Sequence, residues 1–223
     1  MRRAAVLGKG RLAAHACETI AALPDVRLST VVVTAEEPEW DLSLSGHVAA
    51  RWPDVEIVRS GDWRVLVPGR FDLVFSVLYD RIVRDSLIDS CGRILNFHPG
   101  KLPEYRGVRP VNWALRNGER TSGVTIHEID GGVDSGPVVS EAAFSIWPEV
   151  DEVRDVWHRA MEVGKVLISE TLPRLDTLPA RPQDDGRAVM HYSSANGSLG
   201  ERLDWTRERS RALLAAAGEE KTG

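Results

Sequence analysis

Short apolar runs alternate along this chain with longer stretches whose apolar positions recur at helical spacing. The first run, residues 4–7, is cut by Gly8-Lys9-Gly10, after which Leu12, Cys17, Ile20 and Leu23 fall on one broadly helical face. This pattern predicts strand, tight turn, helix. Residues 26–33 read as a second strand. The stretch 34–44 that follows is polar, holds Trp40 and lacks a core period, as a loop over a site would. A short helix at 47–52, a short strand at 55–58 and a helical turn at 62–66 lead to 71–77, a buried-strand pattern, and then to helical spacing over 82–88. Residues 93–97 supply a further strand.

From His98 onward turns dominate, with Pro99-Gly100, Pro103 and Arg106-Gly107 bracketing a polar segment suited to a pocket wall. A helix is expected over 108–117 behind Pro110. Strands over 122–129 and 137–144 flank an acidic glycine loop at 130–136, and a long helix over 150–172 carries Val153, Trp157, Met161, Gly164, Leu167 and Ile168. Past a boundary near 178–186, residues 188–192 read as an edge strand and 202–217 as a peripheral helix. There is no internal repeat. The alternation predicts an α/β protein: an open sheet flanked by helices, with functional groups at strand ends near a topological switch point. Residues 1–178 form the main domain in this reading, and 179–223 a short C-terminal extension of edge strand plus helix.

Length changes this picture little, because 223 residues suit one well-buried core. Charge narrows the partners. The balance of 28 Lys+Arg against 33 Asp+Glu leaves −5, which disfavours a long footprint on nucleic acid while allowing a few arginines to meet phosphate. Cys17 and Cys91 have no metal-ligand spacing, and the opening Arg-Arg-Ala-Ala-Val-Leu is unlike a signal peptide, so the cytoplasm is the expected compartment. No apolar run approaches the ~20 residues needed to cross a bilayer, so no membrane partner is expected.

Two segments carry candidate chemistry. Gly8-Lys9-Gly10 allows close approach of a phosphate to backbone amides, but Ala13 stands where a full Gly-x-Gly-x-x-Gly pattern needs glycine. A structural turn, part of some other ligand pocket and a dinucleotide site all stay open for it. Asn96 and His98 are sharper, since i,i+2 spacing puts both on one side of an extended segment where they can address one carbonyl. The asparagine amide can donate to a developing oxyanion, and a histidine titrating near ~6.5 can relay a proton at neutral pH. Asp134, ending the acidic loop, can accept a proton or hold a water if folding brings it beside His98. The plain alternatives are a backbone-capping Asn96, a satisfied core His98 and an Asx-turn Asp134.

A resemblance bears on that choice. Asn96-Phe97-His98-Pro99-Gly100-Lys101-Leu102-Pro103-Glu104-Tyr105-Arg106-Gly107, with Gly123-Val124-Thr125-Ile126-His127 and Asp134-Ser135-Gly136, resembles the catalytic domain of folate-dependent formyltransferases over most of residues 4–175. Phe75-Ser76-Val77-Leu78-Tyr79-Asp80-Arg81-Ile82 and Leu203-Asp204-Trp205 resemble the sugar N-formyltransferase branch. The resemblance implies an open Rossmann-like formyltransferase sheet, with residues 1–178 as the catalytic domain. It carries Asn96, His98 and Asp134 over as the catalytic trio of an acyl transfer without a metal. The amine of a small acceptor would attack the formyl carbon of 10-formyltetrahydrofolate, releasing tetrahydrofolate. Val77, Leu78, Tyr79 and Ile82, together with Asp130, Gly131, Gly132 and Val133, would line the folate pocket through their backbone. Lys9, Tyr105, Arg106 and Arg109 would stand near the acceptor.

The departures steer the acceptor. Related enzymes often have Ser-Leu-Leu-Pro after the histidine segment, whereas this chain has Gly100-Lys101-Leu102-Pro103, which removes a hydroxyl and adds a charge. The amino end lacks the fuller Gly-x-Gly-Ser-Asn arrangement associated with glycinamide ribonucleotide, and the stretch after Leu178 is short for the carboxy-terminal domain of a methionyl-tRNA formyltransferase. The expected acceptor is thus a nucleotide-linked amino sugar. A non-sugar small amine, hydrolysis of the formyl-folate and a noncatalytic folate-binding module are the alternatives. A homodimer stays open.

Overall fold

Ala4, Ala5, Val6 and Leu7 are all fully buried, as a continuous apolar run requires when it forms a parallel strand covered on both faces. They lie in β1 (Arg2–Gly8), an interior strand of the chain's main sheet, in a computed structural model that describes residues 1–200, 202 and 203. In chain order there follow α1 (Gly10–Ala21), β2 (Val26–Val33), α2 (Leu44–Arg51), β3 (Glu56–Val58), β4 (Leu73–Val77), α3 (Asp85–Ile88) and β5 (Arg93–His98). Then come β6 (Arg106–Gly107), α4 (Pro110–Arg116), β7 (Thr121–Glu128), β8 (Val138–Ser145), α5 (Val153–Thr171) and β9 (Met190–His191). The main sheet runs β3-β2-β1-β4-β5-β7-β8. Its first five strands are parallel, and β7 and β8 add on antiparallel, so β5 has a parallel neighbour on one side and an antiparallel one on the other.

The expected α/β fold is therefore present, as an open sheet flanked by helices. On one face Val6, Phe75, Leu95, Phe97, Val124 and Ile126 join the buried faces of α1 and α5 in the largest apolar cluster. The other face holds Ala5, Leu7, Val74 and Ile94 under Trp63, Leu66, Phe71, Val83 and Leu87. A third cluster, around Tyr105, Trp113, Ile146 and Val156, roots α4 against α5. No helix among the described residues is long and apolar enough to cross a membrane.

Two local expectations change. The helical spacing over 82–88 yields only the single turn α3, because Ile82 is exposed and its carbonyl accepts the Trp63 indole N–H at 3.0 Å. Arg106-Gly107, read as a turn, is instead strand β6, paired in parallel with β9 in a small separate ribbon. Gly107 permits this: its φ is +91°, and a Cβ there would lie 2.3 Å from the His191 carbonyl oxygen. The loop 34–44 covers the amino end of α1. There the Asp41 carboxylate takes the Arg11 backbone N–H at 3.4 Å and its Nε at 3.1 Å. Asp41 thus fills the position where an anion would meet the helix dipole. The helix expected over 202–217 and the Leu203-Asp204-Trp205 motif extend outside the described residues.

Candidate active site

The strand β5 decides where the chemistry sits. Leu95 and Phe97 turn toward α1 and α5, so Asn96 and His98 turn to the opposite face, at the carboxyl end of the strand. The register sets His127 of β7 opposite Asn96 and Thr125 opposite His98, on that same face. Asp134 follows on the loop between β7 and β8, in the left-handed region at φ +52°, and turns its carboxylate back to this strand end.

The three groups singled out in the sequence meet. Asp134 Oδ2 lies 3.4 Å from His98 Nδ1 and accepts the Gly107 backbone N–H at 2.8 Å, while Oδ1 lies 3.5 Å from His127 Nε2. Asn96 Nδ2 lies 3.1 Å from His127 Nε2. Both tautomers follow from partners that can only accept. His127 Nδ1–H donates to the Glu128 carbonyl at 2.8 Å, which leaves Nε2 to accept from the Asn96 amide. His98 Nε2–H donates to the Tyr105 carbonyl at 2.7 Å, so His98 Nδ1 is the nitrogen without a proton when the ring is neutral.

Electrostatics make that nitrogen a proton acceptor. Burial lowers the His98 pKa, the Asp134 charge works against this, and His127 adds to the lowering. Burial alone would raise Asp134, but His98, His127 and the Gly107 N–H outweigh it and hold the carboxyl well below the usual carboxylate range. The result is an ionised carboxylate facing the bare Nδ1 of a buried imidazole. Protonating Nδ1 turns a repulsive contact into an ion pair.

The other expected residues are placed as follows. Val77 ends β4, fully buried, and Leu78 is left-handed at φ +57°. Tyr79 donates its hydroxyl to the Gly61 carbonyl at 2.6 Å, and Ile82 is exposed. Asp130 Oδ1 accepts the Gly132 N–H at 3.0 Å and the Ser135 hydroxyl at 2.7 Å, while Gly131 has open space around it and Val133 is exposed. Tyr79 and Ile129 pack against the same apolar cluster, so both segments border one face of the sheet. Lys9 Nζ lies 3.9 Å from Asp80 Oδ2, and Arg109 opens α4 in the left-handed region. Tyr105 and Arg106, expected near an acceptor, are instead buried on internal partners. The Tyr105 hydroxyl donates to Glu119 at 2.7 Å, and the Arg106 guanidinium donates to Gln183 at 3.0 Å and Asp185 at 2.8 Å.

Three contributors escaped the sequence reading. His127 had a signal, as a polar residue two positions after Thr125 and so on the same face of the strand. The Gly107 amide and Gln183 had none, since one is backbone and the other sits in a polar stretch. Among the described residues no set of His, Cys, Asp and Glu side chains is arranged to hold a metal ion.

Comparison with known proteins adds to this geometry. A formyl transferase family model matches residues 63–172. A methionyl-tRNA formyltransferase of Streptococcus agalactiae is 28% identical over 170 residues, covering 76% of this chain and 54% of the relative, so the chain spans about half the length of that curated relative. Among solved structures, an N-formyltransferase from Helicobacter canadensis in complex with folinic acid and dTDP-3-aminofucose superposes with a TM-score of 0.71 at 22% identity, over 87% of this chain and 72% of that one. A sugar 3N-formyltransferase in the presence of dTDP and 5-N-formyl-THF gives 0.73 at 20% identity, over 87% and 70%.

Proposed function

We propose that this chain, which matches a formyl transferase family model over residues 63–172, transfers a formyl group from 10-formyltetrahydrofolate to the primary amine of a small acceptor, a nucleotide-linked amino sugar. The observation that carries the reading is the meeting of Asn96, His98 and Asp134 at the open end of β5. A donor binding between the segments at 77–82 and 130–133 would face this end. The fit rests on the open space at Gly131 and the exposed apolar groups of Ile82 and Val133.

The amine must arrive neutral, because an ammonium has no lone pair for attack. As its nitrogen bonds to the formyl carbon, electrons move to the formyl oxygen. The second N–H of the Asn96 amide, the one not given to His127, is available to that oxygen. The proton leaving the amine passes to His98 Nδ1, directly or through one water, and Asp134 stabilises the imidazolium that forms. Return of that proton to the departing nitrogen of the folate completes the exchange, leaving an N-formyl product and tetrahydrofolate. The protein's contribution is preorganised donors and one proton relay.

For the acceptor, support comes from the net charge of −5, which offers no general attraction to nucleic acid, and from the sugar N-formyltransferases of like fold. Lys9 and Arg109 are the candidates for phosphate contact. A second reading, an aminoacyl-tRNA acceptor, is favoured by the names of the curated relatives. We expect kcat/KM for formyl gain to be highest with the nucleotide-linked amino sugar in a panel that also holds the free and phosphorylated sugar, non-sugar amines and methionyl-tRNA. A consistent advantage for another member refutes the sugar assignment, and acceptor-independent formate release refutes transfer itself.

A further inference from the structure

The carboxylate at the centre of the site rests on a support that arrives from far along the chain. After β8, residue 181 returns to pair with Val138 through mutual backbone hydrogen bonds of 2.8 Å. Two residues later the Gln183 amide is fully engaged. Its Nε2 donates to the carbonyls of Asp134 at 2.8 Å and Gly136 at 2.7 Å, and its Oε1 accepts Arg106 Nε at 3.0 Å. Arg106 is itself buried, held at its other end by Asp185, and its neighbour Gly107 gives the N–H that holds Asp134 Oδ2.

We propose that Gln183 is a positioning residue, which clamps the loop around Asp134 so that the carboxylate stays aimed at His98. The geometry argues for more than packing. Gln183 bridges carbonyls two residues apart, on either side of Ser135, and so fixes the loop in which Asp134 adopts its left-handed conformation. A non-glycine residue holds that conformation only where its surroundings determine it. Through Arg106 the same amide is tied to the strand that supplies the Gly107 N–H. One side chain thereby locks the backbone end of Asp134 to the support of its carboxylate end. The consequence for formyl transfer rests on the function proposed above, whereas the positional role does not.

The test follows His98, which is faced by Asp134 from the β7–β8 loop, by His127 from β7 and by the Tyr105 carbonyl from the segment after β5. Gln183 holds Asp134 directly through its backbone carbonyl, and reaches the Tyr105 carbonyl only through Arg106, a contact that Gln183→Glu keeps. Loosening the clamp withdraws the one negative charge that keeps a proton on the ring, so the His98 midpoint moves down. Gln183→Met keeps length and removes both donors. Gln183→Glu keeps the acceptor for Arg106 but turns a carboxylate toward two carbonyl oxygens.

In full-length protein, NMR titration of the His98 imidazole is expected to show a midpoint lowered by about half a pH unit or more in both variants. In the surface control Arg181→Ala it should not move. Formyl transfer in the two Gln183 variants should lose roughly tenfold or more in kcat with the donor KM nearly unchanged. An unmoved His98 midpoint in the folded variants overturns the inference, and so does a failure of both to fold, which would make Gln183 a stability residue. If the wild type formylates no amine, the function proposal fails while the titration still decides this one.

Discussion

Asp134 is ionised, largely buried and left-handed at once, three conditions that each carry a cost and that only specific partners can offset. The Gly107 N–H supplies that offset at the carboxylate, and His98 joins it once its Nδ1 is protonated. Replacing Asp134 with Asn keeps the shape and an oxygen for Gly107, but it removes the charge that stabilises a proton on His98. Formyl transfer is expected to fall by about 100-fold or more while donor affinity changes only a few-fold. Single-turnover transfer set against donor binding measures both, and transfer at the wild-type rate by the folded variant would remove Asp134 from the relay. Asn96 and His98 were legible as a pair because they share a strand face by parity, and the family resemblance joined Asp134 to them. Their meeting was not legible: it depends on an antiparallel register between β5 and β7 and on a backbone amide that no side-chain pattern encodes.

At the scale of elements, the strand bearing Asn96 and His98 is held from behind by Phe97, whose ring lies on α5. Gly164 of that helix is there for contact, since a Cβ at this position would come within 2.7 Å of the Phe97 ring. Gly164→Ala gains up to about 1 kcal/mol of helix propensity but overpacks the interface by about 1–3 kcal/mol. The expected outcome is a net loss of stability in denaturant titration, with transfer falling too because Phe97 lies between Asn96 and His98 on the strand. A more stable, fully active variant would show that helix and strand move apart freely. Apolar period found α5, its glycine and both edges of β2, because those segments bury what their pattern says. It overran at 82–88, where a tertiary hydrogen bond from Trp63 holds the carbonyl of an exposed residue. It also missed β6, a two-residue strand that exists only through its partner.

Across the molecule, two imidazoles tie stability to pH. His98 and His191 are both lowered, chiefly by burial, and His191 lies stacked between Tyr105 and Trp113 with centroids 5.4 and 4.7 Å away. A histidine whose folded pKa lies below its unfolded one contributes stability in full above the unfolded value and loses it as pH falls toward the folded value. The melting temperature should therefore drop between about pH 7.5 and 5.5, with a smaller drop in His191→Phe, which keeps a ring in the stack but cannot titrate. A flat profile in the wild type would contradict the downward shift of both rings. The clamp on Asp134 has a further consequence, for the order in which the chain is made. Asp134 and Gln183 are 49 positions apart, and all seven strands of the main sheet precede Gln183. A nascent chain that has left the ribosome only as far as α5 already holds every strand of that sheet together with Asn96, His98 and Asp134, yet the Gln183 clamp on the carboxylate loop is still missing. Synthesis thus completes the scaffold first and the aim of its chemistry afterwards.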